Sequence, residues 1–181
     1  MWSARDAAAR VIPLIEHRAG QIVRTAQKKL VEANVAGGRV HRRRIYAFEI
    51  MSGFGGVFSG DLPAVDVFSE DDVPVQELPS NQVYEDLLLS LFCDLYVINP
   101  EGALGGAEGV DARTMALRRD VERALMSGNQ TLGLPYVVAV YRDGASPQLI
   151  EREGELPVHI YRVQFRVHYR TPIVDPAEVE T

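Results

Sequence analysis

The chain has 181 residues and a mass of 20.1 kDa, with 46% apolar residues, 24% charged residues and a formal charge of -6. This fits one ordinary soluble domain and excludes a disordered or collagenous chain. The charge is unevenly spread: residues 1–50 carry 10 Lys and Arg against 4 Asp and Glu, whereas residues 51–181 carry 9 against 21. With a sequence pI near 5.2, the basic excess of a general nucleic-acid binder is missing, so any such contact is expected to be local.

A membrane-spanning helix needs about 20 consecutive apolar residues, and the long apolar stretch Leu87–Leu95 is broken by Ser90 and Asp94. The reading is therefore of a protein outside the membrane. Arg5, Asp6 and Arg10 stand where a signal peptide would place its apolar core, so the chain reads as mature and intracellular. Cys93 is the only cysteine, which excludes an internal disulfide and a multi-thiolate zinc site and suits a reduced cytoplasm.

One domain is expected over residues 1–181. Ser3 with Asp6 resembles a capping box, and Ile15, Ala19, Ile22, Val23, Ala26, Leu30 and Val31 recur at helical spacing. They predict a helix to about Asn34 within an N-terminal segment 1–36. Pro13 either kinks this helix or opens its main part, and Gly37-Gly38 ends it. Arg39–Ile50 is basic and β-branched. The run Gly53–Asp61, with four glycines, reads as an irregular loop or hairpin tip.

Ala64–Phe68 reads as a short strand left by an acidic surface loop, Ser69–Asn81, containing Glu70, Asp71, Asp72 and Glu77. Tyr84–Ile98 is apolar on both alternating faces and is placed centrally in its sheet. After the glycine-rich Gly102–Gly109 loop, Asp111 is expected to cap a helix from about Ala112 to Met126, with Leu117, Val121, Ala124 and Leu125 as its apolar stripe. Gly128 closes it. Tyr136–Tyr141 reads as a strand, Arg142–Pro157 as a turn or long hairpin connection, and Val158–Thr171 as the last strand.

That last strand places Tyr161, Val163, Phe165, Val167 and Tyr169 on one face and Arg162, Gln164, Arg166, His168 and Arg170 on the other, which predicts one buried and one wet or interfacial side. Residues 172–181, acidic and containing Pro172 and Pro176, are expected to fray. The expected fold is thus α/β (α+β): two main helices on one face of a mostly antiparallel four-stranded sheet, in the order α-β-β-α-β-β, with long glycine-rich loops.

Little in this pattern points to catalysis. Gly53-Phe54-Gly55-Gly56 lacks the lysine and following helix of a phosphate-binding loop. His17, His41, His159 and His168 have no spacing that pairs two imidazoles on one face, and His159 and His168, nine residues apart, fall on opposite faces of a strand. Ser69, Ser80 and Ser127 lack a nucleophile elbow, and Cys93 lies on the buried side of its strand. The chain is read as no enzyme, with no catalytic residue, cofactor or metal.

Two basic features remain: Arg39, Arg42, Arg43 and Arg44 around Val40-His41, and the row Arg162, Arg166 and Arg170. Together with Glu70, Asp71 and Asp72 they form the candidate interaction surface. The arginine row either solvates a sheet face or meets carboxylates of another subunit or phosphates.

In layout the chain resembles the tail terminator, or tail completion, proteins of tailed bacteriophages and gene transfer agents. The resemblance is carried by the initial helix, the basic segment Gly38–Tyr46, the L-P-A strand Leu62–Phe68 and the long apolar strand Leu87–Ile98. It continues through R-D-V-E-R-A-L at Arg119–Leu125, the T-L-G-L turn Thr131–Leu134 and F-R-V-H-Y-R-T at Phe165–Thr171. It covers about Ala8 to Pro176, with longer links at Glu49–Gly60 and Gly102–Gly109 expected to decorate the fold.

The resemblance implies a structural protein of the virion, assembled in the host cytoplasm. It implies a ring, typically a hexamer, that caps the completed tail tube, stops addition of tail tube protein and meets the head-tail connector, while DNA passes through the lumen without specific binding. The opposite charges of the two parts of the chain suit the two unlike faces of a ring subunit. The alternatives are a head-completion or neck protein, a nucleic-acid binder acting through Arg39–Arg44, and a small enzyme with a pocket at His41, Arg43 and Glu49.

Overall fold

The computed structural model describes residues 4–42, 62–75, 84–98, 106–128, 130–148 and 158–172. In chain order the elements are α1 (Ala4–Glu32), a short 3-10 turn (Val35–Gly38), β1 (Val40–His41), β2 (Ala64–Pro74), β3 (Tyr84–Ile98), α2 (Gly106–Met126), β4 (Val137–Gln148) and β5 (Val158–Pro172). The strands form one sheet in the order β1-β2-β3-β5-β4. All its pairings are antiparallel except β1 with β2.

Two-sided hydrophobicity puts β3 third of five, and Leu91 through Val97 are all buried. Its pairing with β5 runs without a register break from Tyr84↔Pro172 to Ile98↔Val158. Alternation then decides which side each residue serves. Val65, Val67, the odd-numbered residues from Leu87 to Val97, and Val163, Phe165, Val167 and Tyr169 form one apolar face. Both helices cover it, α1 with Ile22, Ala26 and Leu30 and α2 with Leu117, Val121 and Leu125, at the i, i+4, i+8 spacing of one helical stripe. Each such buried valine, leucine or isoleucine contributes roughly 1.5–3 kcal/mol relative to exposure. Val31, read as part of the α1 stripe, is instead 43% exposed.

Tyr136 fixes α1 against the start of β4. Its hydroxyl donates to Gln21 Oε1 at 2.7 Å, and the Arg18 guanidinium lies 4.8 Å from its ring centroid. Arg18 also donates to the carbonyl of Arg170 on β5. On the other helix, Arg118 donates to Glu122 at 2.8 Å and to the Tyr161 hydroxyl at 3.1 Å, tying α2 to β5.

The α+β build with α1 and α2 on one sheet face agrees with the sequence, but the expected four strands become five among the described residues. The added strand, β1, pairs only Val40↔Val65 and His41↔Asp66, too short to show a period. β2 does not stop at Phe68; it continues to Pro74, through Glu70, Asp71 and Asp72. Pairing with apolar β3 outweighs the poor strand propensity of these residues, and a bulge between Glu70 and Asp72 absorbs the mismatch.

β4 likewise extends past Tyr141 to Gln148, with irregularities at Val137/Ala139 and Arg142/Gly144. As the outermost strand it tolerates Gly144 and Pro147. Helix α2 begins at Gly106, so Asp111 lies inside it and not at its cap, and part of the expected Gly102–Gly109 loop is helical. Once a helix is nucleated, each glycine costs only about 1 kcal/mol, which propagation can offset. Helix α1 runs unbroken through Pro13, so Pro13 does not open its main segment. The expected Gly53–Asp61 loop and residues 173–181 lie outside the described residues, but Pro172, expected to fray with the tail, instead ends β5 as a buried residue opposite Tyr84.

At the end of α1 the chain turns through four left-handed residues, Asn34 (φ 55°), Ala36 (φ 51°), Gly37 (φ 65°) and Gly38 (φ 79°). This reversal delivers Arg39 to the edge of β2, where its carbonyl accepts from Val65 N–H at 3.0 Å. The Thr131–Leu134 turn is also present, closed by Leu134 N–H to the Thr131 carbonyl at 2.9 Å.

Candidate interaction surface on the sheet face away from α1 and α2

The even-numbered residues of β5 face away from the helices, and the register sets them beside the even-numbered residues of β3. Arg162 stands opposite Asp94, Arg166 opposite Ser90 and Arg170 opposite Asp86. The arginine row of the sequence is therefore real, and each member meets a carboxylate of its own chain.

Arg162 and Asp94 form a two-pronged pair, Nε to Oδ1 at 2.7 Å and Nη2 to Oδ2 at 2.8 Å. The Asp94 side chain is only 3% exposed and that of Arg162 17%. The hydrogen bond to Asp94 raises the Arg162 pKa above the ordinary guanidinium value, against the opposing effect of burial. The guanidinium also lies 5.0 Å from the Phe92 ring centroid and 5.3 Å from that of Phe68, and these two rings stack at 5.4 Å. A planar cation fits such a platform better than an ammonium would.

Beside this pair, opposite Asp94 on β2, Asp66 is fully buried. Its Oδ1 accepts the Asp94 backbone N–H at 3.1 Å and its Oδ2 accepts the Tyr96 hydroxyl at 2.8 Å. Cys93 points to the opposite, apolar face, and burial, then the charges of Asp66 and Asp94, push its thiol pKa well up. A thiol held protonated is a poor nucleophile.

The remaining arginine pairs are more open. Arg166 Nε lies 2.9 Å from Asp143 Oδ2 on the β4 bulge, with side chains 44% and 33% exposed. Arg170 Nε lies 3.0 Å from Asp86 Oδ1, and His168 Nε2 lies 3.2 Å from the same oxygen, an ion pair only when the imidazole is protonated. The His168 and Asp86 side chains are mostly buried, whereas an exposed pair such as Arg166–Asp143 contributes about 0–1 kcal/mol. These pairs make the face a patchwork of alternating charge with little net sign.

The other candidate residues are dispersed. Glu70 is exposed on β2, and Asp71 and Asp72 belong to the same strand. Arg39 and Arg42 flank β1 at the sheet edge, Arg39 fixed by donation from Nε to the Pro63 carbonyl at 2.9 Å. Arg43, Arg44 and Glu49 lie outside the described residues, and with them most of the pocket imagined around His41. Among the described residues no group of three or more His, Cys, Asp or Glu could hold a metal ion, and no helix is long and apolar enough to cross a membrane.

The partners Asp86, Asp94 and Asp143 were not singled out in the sequence. Asp86 and Asp94 were findable, since both fall on the polar alternation of β3 once β5 is set beside it in antiparallel register. Asp143 was hidden by a bulge. A cleft of about 530 Å3 opens separately, between the turn after α1, the Leu62-Pro63 segment and α2, with Arg39, Arg113 and Asp120 among its lining. The chain matches no protein-family model and no curated protein.

Proposed function

We propose that the chain is a structural subunit of the tail terminator type, forming a homo-oligomeric ring, typically of six copies, that caps a finished tail tube and meets the head-tail connector. The observation that carries this reading is the adjacency of its motif strands. The L-P-A segment begins β2, the long apolar segment is β3, and F-R-V-H-Y-R-T ends β5, and these are three neighbours in one sheet. The R-D-V-E-R-A-L segment forms the last turns of α2 over that sheet, and the T-L-G-L turn leads into β4.

A ring requires two unlike contact surfaces on each subunit. Among the described residues the two edges of this sheet differ: a two-residue parallel strand at one and the twelve-residue β4 at the other. The sheet face away from α1 and α2 adds alternating charges, which suit register-specific contact more than a strong grip on phosphate. In this reading DNA passes through the ring without specific binding, the protein has no catalytic role, and its place is the tail-neck junction of the virion.

The test is deletion of the gene from its replicating genome, followed by electron microscopy of the particles. Tails of uncontrolled length beside unjoined heads are expected, and normal tails refute the proposal. Co-sedimentation of the purified protein with tail tubes, as opposed to filled heads, separates a terminator from a neck protein.

A further inference from the structure

The cleft beside the turn after α1 has apolar walls from Pro63, Val97 and Leu117 and carries Arg39 and Arg113 against one carboxylate, Asp120. Arg39 and Arg113 are both exposed, and among the described residues neither has an ion-pair partner. This contrasts with Arg118, Arg162, Arg166 and Arg170, whose charges are met within the chain. A groove with apolar walls and two guanidinium groups that have no ion-pair partner among the described residues fits an extended peptide segment that alternates apolar and acidic residues.

The sequence contains such a segment just after β5. Residues 173–181 read Ile-Val-Asp-Pro-Ala-Glu-Val-Glu-Thr, with Asp175, Glu178 and Glu180 set among Val174, Ala177 and Val179 and no basic residue. Distance excludes docking of this segment at Arg39 within one chain. β5 ends at Pro172, opposite Tyr84, whereas Arg39 bonds to Val65, whose partner is Leu95. Eleven residues of strand separate Tyr84 from Leu95, about 36 Å at the usual rise. The eight residues from Pro172 to Glu180 span at most about 29 Å fully extended.

We propose that the cleft is the docking site for the acidic segment Asp175–Glu180 of a second copy of the chain, with its carboxylates on Arg39 and Arg113 and Val179 against Leu117 and Val97. Such a contact is head-to-tail, since it joins unlike surfaces, and it can be repeated from copy to copy. It concerns self-association and stands apart from the tube-capping role.

The test uses the full-length protein and a fluorescent peptide of residues 172–181, amidated at its C terminus so that only side-chain carboxylates are read. Anisotropy should show saturable binding that weakens with salt and is lowered about tenfold by Arg113→Glu, with circular dichroism unchanged because Arg113 is exposed. A peptide carrying Glu178→Lys should recover part of the loss on the Arg113→Glu protein.

The proposal fails if no saturable binding occurs up to millimolar peptide, as when another segment of the same chain fills the cleft. It also fails if Arg113→Glu leaves the affinity unchanged. Normal assembly of Arg113→Glu protein on tail tubes would overturn this docking contact and leave tube capping standing.

Discussion

Asp94 and Arg162 face one another across the β3–β5 ladder, joined by hydrogen bonds of 2.7 and 2.8 Å, with the carboxylate almost wholly out of solvent. Removing one partner leaves the other charge buried and unpaired, so Asp94→Ala should destabilise the fold by about 3–5 kcal/mol in urea denaturation. Asp94→Ala with Arg162→Ala should cost less than the two single changes added together. Strict additivity would show that the pair is not energetically coupled.

Cys93 provides a test of pH dependence. Burial raises its thiol pKa in the folded state, so the folded protein holds this proton where an unfolded chain releases it. The contribution to stability is full below the ordinary thiol pKa and declines as pH rises above it. Alkylation by iodoacetamide at mildly alkaline pH should be slow in the native protein and fast in denaturant; fast native labelling would contradict the burial.

Arg166→Glu discriminates between solvent and interface. The Arg166–Asp143 pair is partly exposed, so its loss should shift single-chain stability by no more than about 1 kcal/mol. A fall in oligomer mass measured by light scattering would then report a contact between copies, and an unchanged mass would assign Arg166 to solvent.

Two glycines should respond oppositely to alanine. Gly38 has φ 79° with open space around the added Cβ, so Gly38→Ala costs about 1 kcal/mol through backbone conformation alone. Gly144 has no positive φ and equal space, so Gly144→Ala should be neutral or stabilising by a few tenths of a kcal/mol. Thermal melts of the two variants give the comparison.

Much of the architecture was legible because burial imposes a period. The odd-numbered residues of β3 and β5 and the Leu117, Val121, Leu125 stripe of α2 each follow from spacing, and they account for the helix-covered face. What escaped was decided by a neighbour's backbone. Glu70–Pro74 is a strand because β3 offers it a ladder, and Arg142–Gln148 is a strand because β5 does the same for β4. The arginine row was visible, but its neutralisation was not, since Asp94 and Asp86 sit 68 and 84 residues away in sequence and meet it only through register.

The β3–β5 pairing also sets a schedule for synthesis. Each rung joins residues at least 60 apart, from Ile98 with Val158, and as many as 88 apart, from Tyr84 with Pro172. While a ribosome makes α2 and β4, β3 has only β2 beside it, and its other edge, rich in leucine, stays open. β4 has no partner in the sheet until β5 arrives between them. The nascent chain therefore passes through a period in which two strand edges are unmatched, a state prone to aggregation, and the emergence of Val158–Pro172 ends it in one step.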